Sequence, residues 1–168
     1  MNAAHWHLAL NHFPVISVIV GTMILLFSHI FLNRNKPVKN TALCIVVIAA
    51  LTAVPAYFTG EEAEEMVEDI PAIVTGTIEY HEDLGKGFFI AVELLGLFAI
   101  GSLIAGFAKS KLSSIILLCT ILAATGVSIF GLQVANSGGK IRHSEINGNT
   151  QSVHQSKSVF QESHELED

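Results

Sequence analysis

The chain predicts an all-α fold: an integral membrane four-helix up-down-up-down bundle with a disordered C-terminal tail. Three observations carry this. Of 168 residues, 51% are hydrophobic and only 14% charged, where an ordinary soluble domain carries roughly 25% charged residues. The apolar residues gather into four charge-poor runs, each near the roughly 20 residues a bilayer core requires. The links between the runs alternate in sign, basic, then acidic, then basic. None of the runs alternates as a barrel strand would, and a backbone in lipid must satisfy its own hydrogen bonds, so helices follow. Short links make neighbouring helices antiparallel. A net charge of −6 and a mean hydropathy of +0.53 exclude a soluble globular enzyme and a collagen-like or disordered polymer. They also exclude nucleic acid as a partner, which would require a basic face.

The first run, Met1 to Asn33, contains no Lys, Arg, Asp or Glu and places a span at residues 8–32. Signal peptides open on positive charge and carry an apolar stretch of about 7–15 residues. This run opens uncharged and is longer, so it is read as retained. The second span covers residues 41–60, the third 87–108 with Glu93 as its one charged residue, and the fourth 112–135. Residues 1–135 thus form the transmembrane domain. The tail, residues 136–168, is rich in Ser, Asn, Gln, Glu and His and lacks the apolar content to build a core.

Arg34, Lys36 and Lys39 join the first two spans, and Lys109 and Lys111 the last two. The middle link carries Glu61, Glu62, Glu64, Glu65, Glu68, Asp69, Glu79, Glu82 and Asp83 against Lys86 alone. Positive loops stay in the cytoplasm. The expectation is a multi-pass protein of the cell inner (plasma) membrane with both termini and the acidic link extracytoplasmic. Lys140 and Arg142 in the tail run against this, but the cations of the two short loops outnumber them. Cys44 and Cys119 fall in cytoplasmic halves as buried packing thiols, with a disulfide left open.

Ionisable groups at membrane depth are costly and mark candidate sites; here they are His12, His29 and Glu93. His29, near Arg34, suits an interfacial position without a special role. His12 lies in Asn11-His12-Phe13-Pro14, where the proline either opens the first helix or interrupts it and frees the Leu10 carbonyl. Pro55 does the same to Leu51 at the matching depth of helix 2. Beyond it a helical continuation puts Glu61, Glu65 and Glu68 on one face, either as a solvated surface or as a charge cluster balanced by a cation. His81 lies at the outer boundary, level with His12. A continuous third helix sets Glu82, Lys86, Phe89 and Glu93 on one face, so that Lys86 can pair with Glu82 and snorkel over Glu93. Gly138-Gly139 permits a sharp turn that would carry His143 and Glu145 back to the bundle.

Asn11-His12-Phe13-Pro14, Thr59-Gly60-Glu61 with Ala63-Glu64-Glu65, His81-Glu82 and Gly138-Gly139-Lys140-Ile141-Arg142-His143 together resemble an uncharacterised bacterial four-helix membrane family, a domain of unknown function. In that family a His-Phe-Pro motif opens helix 1 and Gly-Gly-x-x-x-His follows helix 4. The likeness covers about residues 8–145. It implies the same four-helix fold. Some relatives are associated with Rieske-type redox domains, which implies a haem or redox-metal role by analogy. This chain has neither a Rieske ligand pattern nor a Cys-x-x-Cys-His attachment site.

Topology brings His12, Glu61, Glu65, His81 and His143 to the extracytoplasmic mouth. Mixed imidazole and carboxylate donors suit a divalent metal such as zinc or iron. Haem b would instead take two imidazoles across the bundle, His12 with His81 or His143. The expected function is therefore metal or haem binding at that mouth, serving electron transfer with a redox or membrane-complex partner beside the lipid bilayer. The alternatives are a structural or accessory subunit, served by Ser17-x-x-x-Gly21, Gly101-x-x-x-Ala105 and Ser102-x-x-x-Gly106, and a small ion or proton transporter with Glu93, Glu82, His12 and His29 along a polar path. No serine or cysteine nucleophile stands beside a base, so a hydrolase is not expected, and no reaction is assigned.

Overall fold

A computed structural model describes residues 2–32, 35–67 and 75–142 of the chain. The expectations for Arg34, Glu68, Asp69, His143, Glu145 and the disorder of the tail beyond 142 lie outside the described residues. Five helices appear among those described: α1 (Ala3–Leu10), α2 (His12–Ile30), α3 (Lys36–Val67), α4 (Thr75–Phe107) and α5 (Ser113–Arg142). Together α1 and α2 make one span, Ala3–Ile30, and the protein has four helical spans long and apolar enough to cross a membrane. It is a multi-pass helical bundle in contact with lipid.

The Asn2 side chain caps α1 by accepting from the His5 N–H at 3.1 Å. Pro14 does not open the span: it is the third residue of α2, and with no N–H for the Leu10 carbonyl it interrupts the ladder one turn upstream, so that α1 and α2 divide at Asn11. Its ring excludes the Leu10 carbonyl, and the turn between them absorbs the mismatch. Asn11 keeps right-handed helical angles (φ −59°, ψ −27°), so the direction of the helix carries through.

Around the bundle, α2 packs on α3 and α5, α3 on α4, α4 on α5, and α1 lies along the end of α3. The core is a column of Val18 and Leu25 from α2, Leu43 and Val46 from α3, Val92 and Leu95 from α4, and Ile121 and Ala124 from α5. Glycine brings the backbones together. A Cβ on Gly21 would meet Val46 Cγ2 at 2.9 Å and the Ala42 carbonyl at 3.2 Å; one on Gly96 would meet the Ala50 Cβ at 2.7 Å. The opposite faces, with Met23, Leu51, Leu97 and Leu122, are exposed, as helices facing lipid require. Cys44 and Cys119 are on those faces too, as free thiols. They are not the buried packing residues expected; a thiol is a small hydrophobe and loses little by facing hydrocarbon.

Two hydroxyl pairs lock the interior. Ser102 and Thr120 bond at 2.8 Å between α4 and α5, and Ser128 donates to Thr22 at 3.0 Å between α5 and α2. Thr120→Val would leave the buried Ser102 hydroxyl without that partner. The expected loss is about 0.6–1.7 kcal/mol, the range of hydrogen bonds between membrane helices, measured by denaturation in mixed micelles.

The bundle has a basic end, with Lys36, Lys39, Lys109 and Lys111, and an acidic end, with Glu61, Glu62, Glu64, Glu65, Glu79, Glu82 and Asp83. At about 1.5 Å per residue, the 32 residues of α3 and 33 of α4 overreach a hydrocarbon core of about 30 Å. The excess projects at the acidic end. There α5 runs to Arg142 and passes straight through Gly138-Gly139, where a sharp turn was expected. Those glycines serve close approach instead of a turn: a Cβ on Gly138 would lie 3.0 Å from the His81 ring.

Candidate binding site at the acidic end

Two imidazoles are seated at this end, on different walls. His7 rises from α1 against α3, and its Nδ1–H donates to the Ala56 carbonyl at 3.0 Å. Its ring lies 3.0 Å from where a Cβ on Gly60 would stand, so a larger residue there would push it out. His81 rises from α4 against α5, with Nδ1 2.8 Å from the Ser137 hydroxyl. Ser137 is buried and donates to the Val134 carbonyl at 2.8 Å. Gly138 clears the space for this second ring.

The Ala56 carbonyl fixes one tautomer, and the Ser137 hydroxyl favours the other. A carbonyl only accepts, so His7 Nδ1 carries the proton. With its hydrogen on the Val134 carbonyl, the Ser137 hydroxyl accepts from His81 Nδ1–H. In each neutral ring Nε2 therefore holds a free lone pair. Imidazoles that ligate metals are oriented in this way, with the other ring nitrogen donating to a carbonyl or a similar acceptor. Both rings stand at the acidic end, His7 against Ala56 of α3 and His81 against Ser137 of α5.

Below the rings the bundle is apolar. Two turns down α4 from His81, Phe88 meets Phe130 edge to face, with centroids 6.1 Å apart. Gly87 and Gly131 make room for these rings, and Val15 closes the floor beside Gly131.

The other predicted ligands are not drawn into this pair. The exposed His12 ring bonds through Nδ1 to the side chain of the adjacent Asn11. Glu61 accepts from the Tyr57 hydroxyl at 2.7 Å, and Tyr57 stacks on Phe89 at 4.6 Å. Glu65 is exposed on the surface of α3. Lys86 pairs with Glu82 as expected, but no bond links it to Glu93, one of whose oxygens is buried without a partner. Among the described residues no three His, Cys, Asp or Glu gather as an ion site. The divalent set His12, Glu61, Glu65 and His81 is therefore not assembled here, and His143 lies outside the described residues. Long acidic side chains on a projecting helix find water and Tyr57, while the imidazoles find glycine-cleared seats.

His7 is the residue that sequence reasoning missed, the Asn11-His12-Phe13-Pro14 motif having drawn attention to its neighbour. The available signal was Gly60, at the depth where α1 meets α3. No protein-family model, curated protein or solved structure matches this chain. Fold and site together define a multi-pass four-helix membrane protein with an imidazole pair at its acidic end.

Proposed function

We propose that the chain is a b-type haem protein of the plasma membrane, in which His7 and His81 would hold the haem iron. The observation that carries this is the pair of glycine-seated rings with Nδ1 committed and Nε2 open. The donor set fits haem better than a bare ion. A structural zinc or iron ion asks for three or four protein ligands, and among the described residues no three such side chains gather. Haem would bring its own ring of nitrogen donors and would ask only two side chains of the protein, here His7 and His81. The bound group would supply one-electron chemistry at the membrane surface, consistent with electron exchange with a membrane-complex partner. The residues supply the rest: Ala56 and Ser137 hold the ring orientations, and Phe88, Phe130 and Val15 keep water from the floor.

By the positive-inside rule the acidic end is extracytoplasmic, in keeping with the resemblance to the four-helix family and its Rieske-associated members. Transport is less well served. Thr22, Ser128, Ser102 and Thr120 are bonded among themselves and to carbonyls, and none bonds Glu93.

Protein purified from haem-replete cells is expected to carry haem in proportion to chain, read by pyridine haemochrome, with little zinc or iron beyond it by elemental analysis. Colourless, folded protein holding a stoichiometric divalent ion would overturn the haem assignment, and colourless metal-free protein would overturn the site.

A further inference from the structure

The basic end carries a second polar cluster that the haem reading does not use. Lys39, in the first turns of α3, sends its ammonium group to within 3.2 Å of where a Cβ on Gly106 of α4 would stand. Beneath it a narrow cleft is lined by Leu25, Ser28 and His29 of α2 and by Leu117 and Ile121 of α5. His29 Nδ1 is buried and has no hydrogen-bond partner. A neutral imidazole keeps one N–H and a charged one two, so the ring has a donor to offer an anion. Lys36 is close enough to repel Lys39. No Asp or Glu occurs in residues 28–41 or 104–115, so no described carboxylate is at hand to balance these cations.

Charge that is uncompensated beside a low-dielectric core calls for a counter-ion. The layout says which. The cations stand at the end of helices whose outer faces, with Phe107, Ile115 and Leu118, are exposed and apolar, the polarity order of a phospholipid. The cleft admits no water, so the anion belongs at its rim, at the level of Lys39. We propose that Lys39 and His29, with Lys36 beside them, bind the phosphate of an acidic phospholipid at the basic end of the bundle. Basic pockets between membrane helices bind anionic headgroups in this way.

The test is native mass spectrometry of the full chain in detergent, titrated with phosphatidylglycerol, phosphatidylcholine or inorganic phosphate. Phosphatidylglycerol is expected to be retained in preference to phosphatidylcholine, and inorganic phosphate is expected not to displace it. Lys39→Gln should weaken retention about fivefold, the effect of one cation near a charged lipid surface. His29→Ala should weaken it less. Lys39→Arg should keep it, as should Lys109→Gln on the neighbouring link. Circular dichroism confirms that each variant is helical. Equal retention by wild type and Lys39→Gln, equal retention of the two lipids, or displacement by inorganic phosphate would each overturn the proposal.

Discussion

Replacing His7 or His81 by alanine is expected to lower haem affinity on the order of 100-fold or more, since even the residues that merely orient a metal ligand are worth about 10–100-fold. Both variants should act alike, because each removes one of the two imidazole donors. His12→Ala should bind nearly as well as wild type, its ring being exposed and tied to Asn11. The comparison separates the structural pair from the pair that the His-Phe-Pro motif suggests. Alanine in place of either imidazole leaves a small void at the projecting end of the bundle, away from the central column of Val18, Leu43 and Val92, so the helices should persist. Bound haem, read by the Soret band of purified protein, is the measurement. If His12→Ala bleaches the protein and His7→Ala does not, the ligands are misassigned.

The second large effect concerns the scaffold. At Gly96 an added Cβ would stand 2.7 Å from the Ala50 Cβ, and neither atom can rotate away because each is fixed to a helix backbone. Gly96→Val must therefore part α3 from α4 along their shared length. Overpacking of this kind costs about 1–3 kcal/mol, and the rigid contact puts Gly96→Val at about 3 kcal/mol. His7 is held on α3 and His81 on α4, so separating these helices also misaligns the site. Gly101→Val on the same helix, where nothing lies within 4 Å of an added Cβ, should be tolerated. Urea or detergent unfolding of the two variants side by side gives the contrast.

Much of the architecture was legible because a bilayer imposes coarse rules. Twenty apolar residues make a span wherever they occur, so the four helices and the opposite signs of the two ends followed from residue type alone. The Glu82–Lys86 pair followed from helical spacing. The rotation of each helix about its axis was not legible. A helix that is apolar on every side carries no stripe to show which face is inward, and the charge-poor runs that hold Cys44 and Cys119 are of this kind. So Cys44 and Cys119 were placed inside although they face outward, and His12 was preferred to His7. Gly138-Gly139 was misread for a related reason. Glycine serves both sharp turns and close approach, and only the position of His81 shows that approach is its use here.

The most direct test of the imidazole pair is electron paramagnetic resonance of the oxidised protein, which reports the ligands of ferric haem. The expected result is a low-spin signal from iron held by two imidazoles, turning high-spin in both His7→Ala and His81→Ala. A wild-type signal that is high-spin, or one left unchanged by either substitution, would contradict the account.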